Sequence, residues 1–340
     1  MDKRLTAVHD YIHAEMEKQH IPGLALGILV QGEPVLLQGY GYANLEQQTP
    51  ATPDTVFEIA SITKLFTATA VMMLAQAGKL ALSDCISHYL PDLPQAWQAI
   101  TIRHILTHSS GLKGYTETPR YWETTRLDIS PAAILDLVRD EPLLFPSGQR
   151  YHYDNTGFYL LGLLLEQVSG KPYGDLLDEL IFTPLGMADT RVNDPYAIVP
   201  RRAAGYSLQN GALCNKAYYS TAGTFSAGVL LSTVNDMAKW DAALSTERLL
   251  ETAVLQQMWT PQPTEQKNER LLGFSVGLGW FLVDHEDTFF AGHNGGIIGF
   301  ASAYLRFLRE GISAVLFCNR DEVPEPHKLA LAAVAVYRHQ

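Results

Sequence analysis

Apolar runs that read as β-strands lie at both ends of this 340-residue chain, and the stretch between them reads mainly as helix. Near the start, residues 24–30 and 35–40 flank Gln31-Gly32-Glu33-Pro34 in a hairpin pattern. Near the end, 279–283, 288–291, 300–308 and 313–317 read as successive strands, with turns at 284–287 and at Arg309-Glu310-Gly311. Leu5, Val8, Ile12 and Met16 recur at helical spacing ahead of Pro22-Gly23, and a final helix is predicted over about 326–338. In the middle, helices are predicted at 102–107, 132–138 and 157–168, the last stopped by Ser169-Gly170, with Gly-, Pro- and aromatic-rich loops between. Strands at both ends imply one antiparallel sheet built from both termini, with a mostly helical insertion packed against it, an α+β architecture. The expected layout is one unit over 1–340, with 1–80 and 205–340 forming a sheet-and-helix part and 81–204 a mostly helical part.

Hydrophobic residues at 47% and charged residues at 18% describe a globular chain with a sizeable core. The net charge of −11, scattered rather than gathered in a tail, argues against nucleic acid or an anionic membrane as partner. Cys85, Cys214 and Cys318 are odd in number, far apart and in no C-x-x-C pattern, so neither a disulfide framework nor structural zinc is expected. The first residues, Met1-Asp2-Lys3-Arg4-Leu5, lead into an amphipathic helix with no apolar leader, and the expected location is cytoplasmic. Exposed faces, and with them the oligomeric state, are not written in the pattern.

Three short motifs carry chemistry. Ser61-Ile62-Thr63-Lys64 opens a stretch in which Ile62, Leu65, Phe66, Thr69, Met72 and Met73 recur at helical spacing and Gly78 is the stop. Residues i and i+3 share a helix face, so the Lys64 amine can reach the Ser61 hydroxyl. A hydroxyl is a weak nucleophile until a base takes its proton, and a desolvated lysine can serve. The helix N-terminus adds backbone N–H groups that favour negative charge beside Ser61. Tyr153-Asp154-Asn155 precedes the predicted helix at 157, where a phenol can relay a proton and an amide can bind a substrate carbonyl while donating toward the lysine. His293-Asn294-Gly295-Gly296 sits on a predicted edge strand, where small residues let backbone approach a ligand, and the Gly296 N–H with that of Ser61 would form an oxyanion hole.

Taken in this order, S-x-x-K, Y-x-N and H-x-G make the chain resemble the serine β-lactamase and penicillin-binding-protein superfamily. The likeness is greatest to its class C-like group of esterases, D-aminopeptidases and D-Ala-D-Ala carboxypeptidases. It runs from about residue 20 to 320. Leu106-Thr107-His108-Ser109-Ser110-Gly111-Leu112, Phe145-Pro146-Ser147-Gly148, Leu160-Leu161-Gly162, Pro184-Leu185-Gly186-Met187 and Ser232-Thr233-Val234-Asn235-Asp236-Met237 support it. The resemblance implies a β-lactamase-like fold and acyl transfer through a covalent intermediate on Ser61. Lys64 and Tyr153 would be the other catalytic residues, and Asn155, His293, Gly295 and Gly296 would bind substrate. No cofactor and no metal are called for. The partner implied is a small ester, amide or short peptide.

One departure bears on substrate. Where many members carry K-T-G, this chain has His293-Asn294-Gly295, and a histidine is largely neutral near pH 7. That discounts efficient turnover of β-lactams or of C-terminal D-Ala and favours esters and amides. The rival readings are a class C-like β-lactamase or D-stereospecific peptidase on the same residues, and a binding protein that kept the fold without the chemistry. If His293 met substrate as a cation, affinity for carboxylates would rise as pH falls through about 6.5.

Other signals are set aside. Gly273-Phe274-Ser275-Val276-Gly277 matches the G-x-S-x-G nucleophile elbow, but polar 266–270 precedes it and a strand pattern follows. His104 and His108 stand at i, i+4 without the H-E-x-x-H glutamate, and a packed or capping pair is expected. Tyr115, Tyr121, Trp122, Tyr218 and Tyr219 fall in predicted loops, as cleft walls or as packing.

Overall fold

The computed structural model describes residues 2–264, 274–285 and 288–339. Its spine is an eight-stranded sheet in which every pairing is antiparallel. The strands are β1 (Gly23–Val30), β2 (Glu33–Asn44), β3 (Thr49–Pro50), β4 (Ser275–Val276), β5 (Phe281–His285), β6 (Thr288–Ile297), β7 (Phe300–Phe307) and β8 (Ile312–Cys318). Their order across the sheet is β3-β2-β1-β8-β7-β6-β5-β4, so the two chain ends meet where β1 pairs with β8. The β1–β2 turn is two residues long, Gln31 and Gly32, both at positive φ, which matches the twist of the flanking strands.

Alternation along the strands feeds two cores. Leu24, Leu26 and Ile28 point to one face with Ala314 and Leu316. There α1 (Lys3–Lys18) contributes Val8, Ile12 and Met16, and α5 (Pro326–His339) contributes Leu329, Ala333 and Val334. On the other face Ala25, Leu29, Val315 and Phe317 meet the larger core. Its longest helices are α2 (Thr63–Gln76), α3 (Asn155–Ser169) and α4 (Val234–Ala243). Helix α2 is buried nearly all round, from Thr63 to Met72 without interruption, which is why it shows so little polar–apolar segregation in sequence.

The predicted elements differ from the observed ones at their ends. The 288–291 run extends to Ile297, so His293, Asn294, Gly295 and Gly296 lie inside β6. Helix α3 begins at Asn155 rather than 157, because the Asp154 side chain caps it by accepting from the Gly157 N–H at 2.9 Å. Two small sheets carry no strong signal in the apolar pattern. Phe57–Glu58, Leu230–Ser232 and Arg191–Val192 form one, and the hairpin Tyr206–Gln209/Ala212–Asn215 forms the other. The second was marked in the sequence by Asn210-Gly211, which takes positive φ at both turn residues. Ser275 belongs to a strand paired with β5, not to a strand-to-helix elbow, while Gly273 and residues 266–270 lie outside the described residues. So do Glu286 and Asp287 of the predicted turn. Among the described residues, no helix is long and apolar enough to cross a membrane.

Candidate active site

Strand Phe57–Glu58 aims the chain at the site. It pairs with Leu230–Ser232, and the Ile59 N–H bonds the Leu230 carbonyl at 3.0 Å. Ala60 then takes φ +48°, a left-handed conformation rare for a residue with a Cβ, and Ala60–Ile62 make one 3-10 turn into α2. Ser61 is thus in the turn ahead of the helix rather than inside it, and the i, i+3 spacing still serves. Lys64 Nζ lies 3.3 Å from Ser61 Oγ.

Lys64 is fully buried. Its amine donates to Asn155 Oδ1 at 2.8 Å and to the Ala227 carbonyl at 2.7 Å, and it lies 4.9 Å from the centre of the Tyr153 ring. Burial disfavours the ammonium and brings its pKa down to about 7, while the nearby Asp154 carboxylate opposes the fall. A base that is half free near neutral pH is suited to take the Ser61 proton. Tyr153 contacts Ser61 through a side-chain hydrogen bond, and burial raises its phenol well above 10, so it stays protonated.

Asn155 plays the reverse of its expected part toward the lysine. The amide oxygen accepts from the lysine amine, and the amide nitrogen donates to Thr116 Oγ1 at 3.0 Å. Asp154 and Ala227 were not singled out in the sequence. Asp154 was visible only as the middle of Tyr-Asp-Asn, and a backbone carbonyl such as that of Ala227 has no sequence signal. Asp154 is wholly buried and accepts from Ser110 Oγ at 2.7 Å, and its own N–H donates to His108 Nδ1 at 3.1 Å. Burial raises its carboxyl to about 6.

Strand β6 closes the site from the far side of the turn. Ser302 on β7 donates to the Ile59 carbonyl at 2.8 Å. Gly295 packs so tightly there that a Cβ would fall 2.5 Å from the Ile59 oxygen and 2.4 Å from Ser302 Oγ. Gly296 has nothing within 4 Å of an ideal Cβ and faces the cleft. Among the described residues, β5 pairs with β6 only as far as Gly292, although β6 itself is internal to the sheet.

The cleft holds about 250 Å3 and is lined by Ser61, Asn155 and Gly296 together with Tyr115, Tyr121, Trp122, Tyr219, Ile297 and Ile298. No lining residue among those described has a charged side chain. Tyr218 is exposed and outside it. Of the predicted site residues, Lys64, Tyr153 and Gly295 stand outside this lining, and His293 stands apart from it. It is 3% exposed, packs on Phe281 at 4.6 Å between ring centres and on Tyr153 at 6.0 Å, and lines a separate cavity. Burial and the Lys64 charge push its pKa down to about 3, so the ring is neutral and a cationic contact with carboxylates near pH 6.5 is opposed.

The histidine pair is packed and capping, as expected. His104 Nδ1 accepts from the Thr101 N–H at the start of its helix, and His108 is buried against Tyr153 and Phe158.

Comparison with known proteins agrees with this geometry. The Beta-lactamase family profile matches residues 8–338. A penicillin-binding protein of Bacillus subtilis is 27% identical over 334 residues, spanning 93% of this chain and 72% of that protein. The octameric penicillin-binding protein homologue from Pyrococcus abyssi superposes with a TM-score of 0.88 at 27% identity, covering 100% of this chain and 78% of the other. The D-amino acid amidase of Ochrobactrum anthropi SV3 gives 0.84 at 28% identity, covering 99% and 100%. The chain therefore belongs to the beta-lactamase family, as a hydrolase of the serine β-lactamase and penicillin-binding-protein superfamily.

Proposed function

We propose that the protein hydrolyses small, uncharged esters or amides through an acyl-enzyme on Ser61. The observation that carries this reading is a buried lysine, its pKa brought to about 7, lying 3.3 Å from a serine hydroxyl at the floor of a cleft whose described lining bears no charge. Lys64 takes the Ser61 proton as Oγ attacks the substrate carbonyl, and Asn155 Oδ1 and the Ala227 carbonyl hold the ammonium that forms. Backbone N–H groups of Ser61 and Gly296 receive the oxyanion. Tyr153, protonated at rest, passes its proton to the leaving group while Lys64 hands it the proton taken from Ser61. Water then retraces the sequence, releasing the acid and restoring Ser61. Tyr115, Tyr121, Trp122 and Tyr219 suit the cleft to apolar or aromatic acyl groups.

The likeness to a D-amino acid amidase supports a second reading, amides of D-amino acids. An α-ammonium group would meet no carboxylate among the described cleft residues, which favours the first. The test is a set of initial rates on p-nitrophenyl butyrate, D- and L-phenylalanine amide and nitrocefin, with wild type and Ser61→Ala. Ester turnover should exceed that of nitrocefin and fall about 10,000-fold or more in the variant. Full activity in Ser61→Ala overturns the nucleophile. Faster hydrolysis of D-phenylalanine amide than of the ester puts the second reading first.

A further inference from the structure

The turn that carries Ser61 holds a backbone shape that needs support. Ile59 stands at φ −92°, ψ 0° and Ala60 at φ +48°, and a residue with a Cβ stays in the left-handed region only where its surroundings hold it there. One rigid peptide plane sets both Ile59 ψ and Ala60 φ, so fixing the Ile59 carbonyl fixes Ala60. That carbonyl accepts twice, from the Ile62 N–H at 3.2 Å within the turn and from Ser302 Oγ at 2.8 Å across from β7.

Ser302 reaches in from outside the turn. It is wholly buried, and in the sheet it stands directly opposite Gly295. The bond passes through the gap that this glycine leaves. A Cβ on Gly295 would lie 2.4 Å from Ser302 Oγ, 2.5 Å from the Ile59 oxygen and 3.0 Å from the Ala60 Cβ. Gly296 follows at once on β6 and opens on the cleft beside Ala60 and Ser61. The Ser302 hydroxyl therefore ties the turn that bears the Ser61 N–H to the strand pair that bears the Gly296 N–H.

We propose that Ser302 is a positioning residue for the oxyanion hole: its hydroxyl, bonded to the Ile59 carbonyl through the gap at Gly295, fixes the Ser61 N–H relative to the Gly296 N–H. This rests on the acyl-enzyme reading of Ser61. Ser302 is not part of the cleft lining, so it acts through the backbone. Two donors that meet one developing oxyanion lose much of their effect when either shifts by about 1 Å.

The test compares p-nitrophenyl butyrate with its thionoester, in which sulfur replaces the carbonyl oxygen and accepts hydrogen bonds poorly. Steady-state rates are measured on the full-length wild type, Ser302→Ala, Ser302→Cys and Ser61→Ala. The ratio of kcat/KM for the two esters does not depend on how much of a variant is folded, so a purely structural role would leave it unmoved. In Ser302→Ala the oxoester rate should fall about 30-fold, in kcat rather than KM, and the thionoester rate about threefold, so that the ratio drops about tenfold. Ser302→Cys, close to serine in size but a weak donor, should shift the ratio the same way by less. A ratio unchanged in both Ser302 variants overturns the proposal, whether the rates fall together or hold. If Ser61→Ala is inactive in that case, the proposal alone fails. Activity retained in Ser61→Ala overturns the acyl-enzyme reading and this proposal with it.

Discussion

Lys64 and Asn155 are 91 residues apart in sequence, yet the lysine Nζ donates to the asparagine Oδ1 at 2.8 Å. One residue sits in the first turn of α2 and the other is the first residue of α3, so the contact locks two helix starts around Ser61. The same contact holds the amine where burial lowers its proton affinity.

That lowering sets a pH dependence. Lys64 acts as a base only when deprotonated, and its pKa falls from 10.5 to about 7. Hydrolysis measured as kcat/KM should rise with pH through about 7 and level off above it. Asp154 holds this pKa up, so Asp154→Asn should move the rising limb to lower pH. A limb that stays near 10, or one unmoved by Asp154→Asn, contradicts the assignment of the base.

Gly295 and Gly296 should respond in opposite ways to one added methyl. Gly295→Ala drives a carbon into the Ile59 carbonyl and Ser302 Oγ, and should destabilise the fold by about 1–3 kcal/mol and cut kcat/KM by tenfold or more. Gly296→Ala points into open cleft and should leave stability within about 0.5 kcal/mol, with its effect read in KM. Urea unfolding curves and steady-state rates on both variants decide it.

Glu58 is buried with three donors, from Lys216, Tyr219 and Arg202. Tyr219 lines the cleft, so the carboxylate fixes a substrate-facing wall from behind. Glu58→Gln removes the counter-charge of two partly buried cations and should cost about 2–3 kcal/mol. It should also raise KM for aryl esters. Denaturant unfolding together with KM on a phenyl ester tests both effects, and an unchanged KM would separate Glu58 from the cleft wall.

His293 should not act as a switchable cation. With its pKa pushed down to about 3, it carries no charge change between about pH 5 and 8. The inhibition constant of a carboxylate-bearing ester analogue, divided by that of its neutral counterpart, should be flat over that range. Tighter relative binding as pH falls through 6.5 would restore the cationic role.

The antiparallel sheet from both termini was readable because its strands are apolar on a repeating pattern that each segment carries by itself. The spacing of Ser61 and Lys64 was readable for the same reason: three residues along a helical turn fix a distance. The motif Tyr153-Asp154-Asn155 announced an acid–base group, but not that the asparagine oxygen would accept from the lysine. The tertiary structure decided what depends on surroundings. Burial by α2 and α3 turns Lys64 from a cation into a base, and burial against Phe281 turns His293 from a potential cation into a neutral ring outside the cleft lining. The Ala227 carbonyl reaches the amine only because the chain returns there after 163 residues. Local periodicity is a property of the sequence, whereas desolvation and the partner of a buried polar atom are set by segments that meet only in the folded chain.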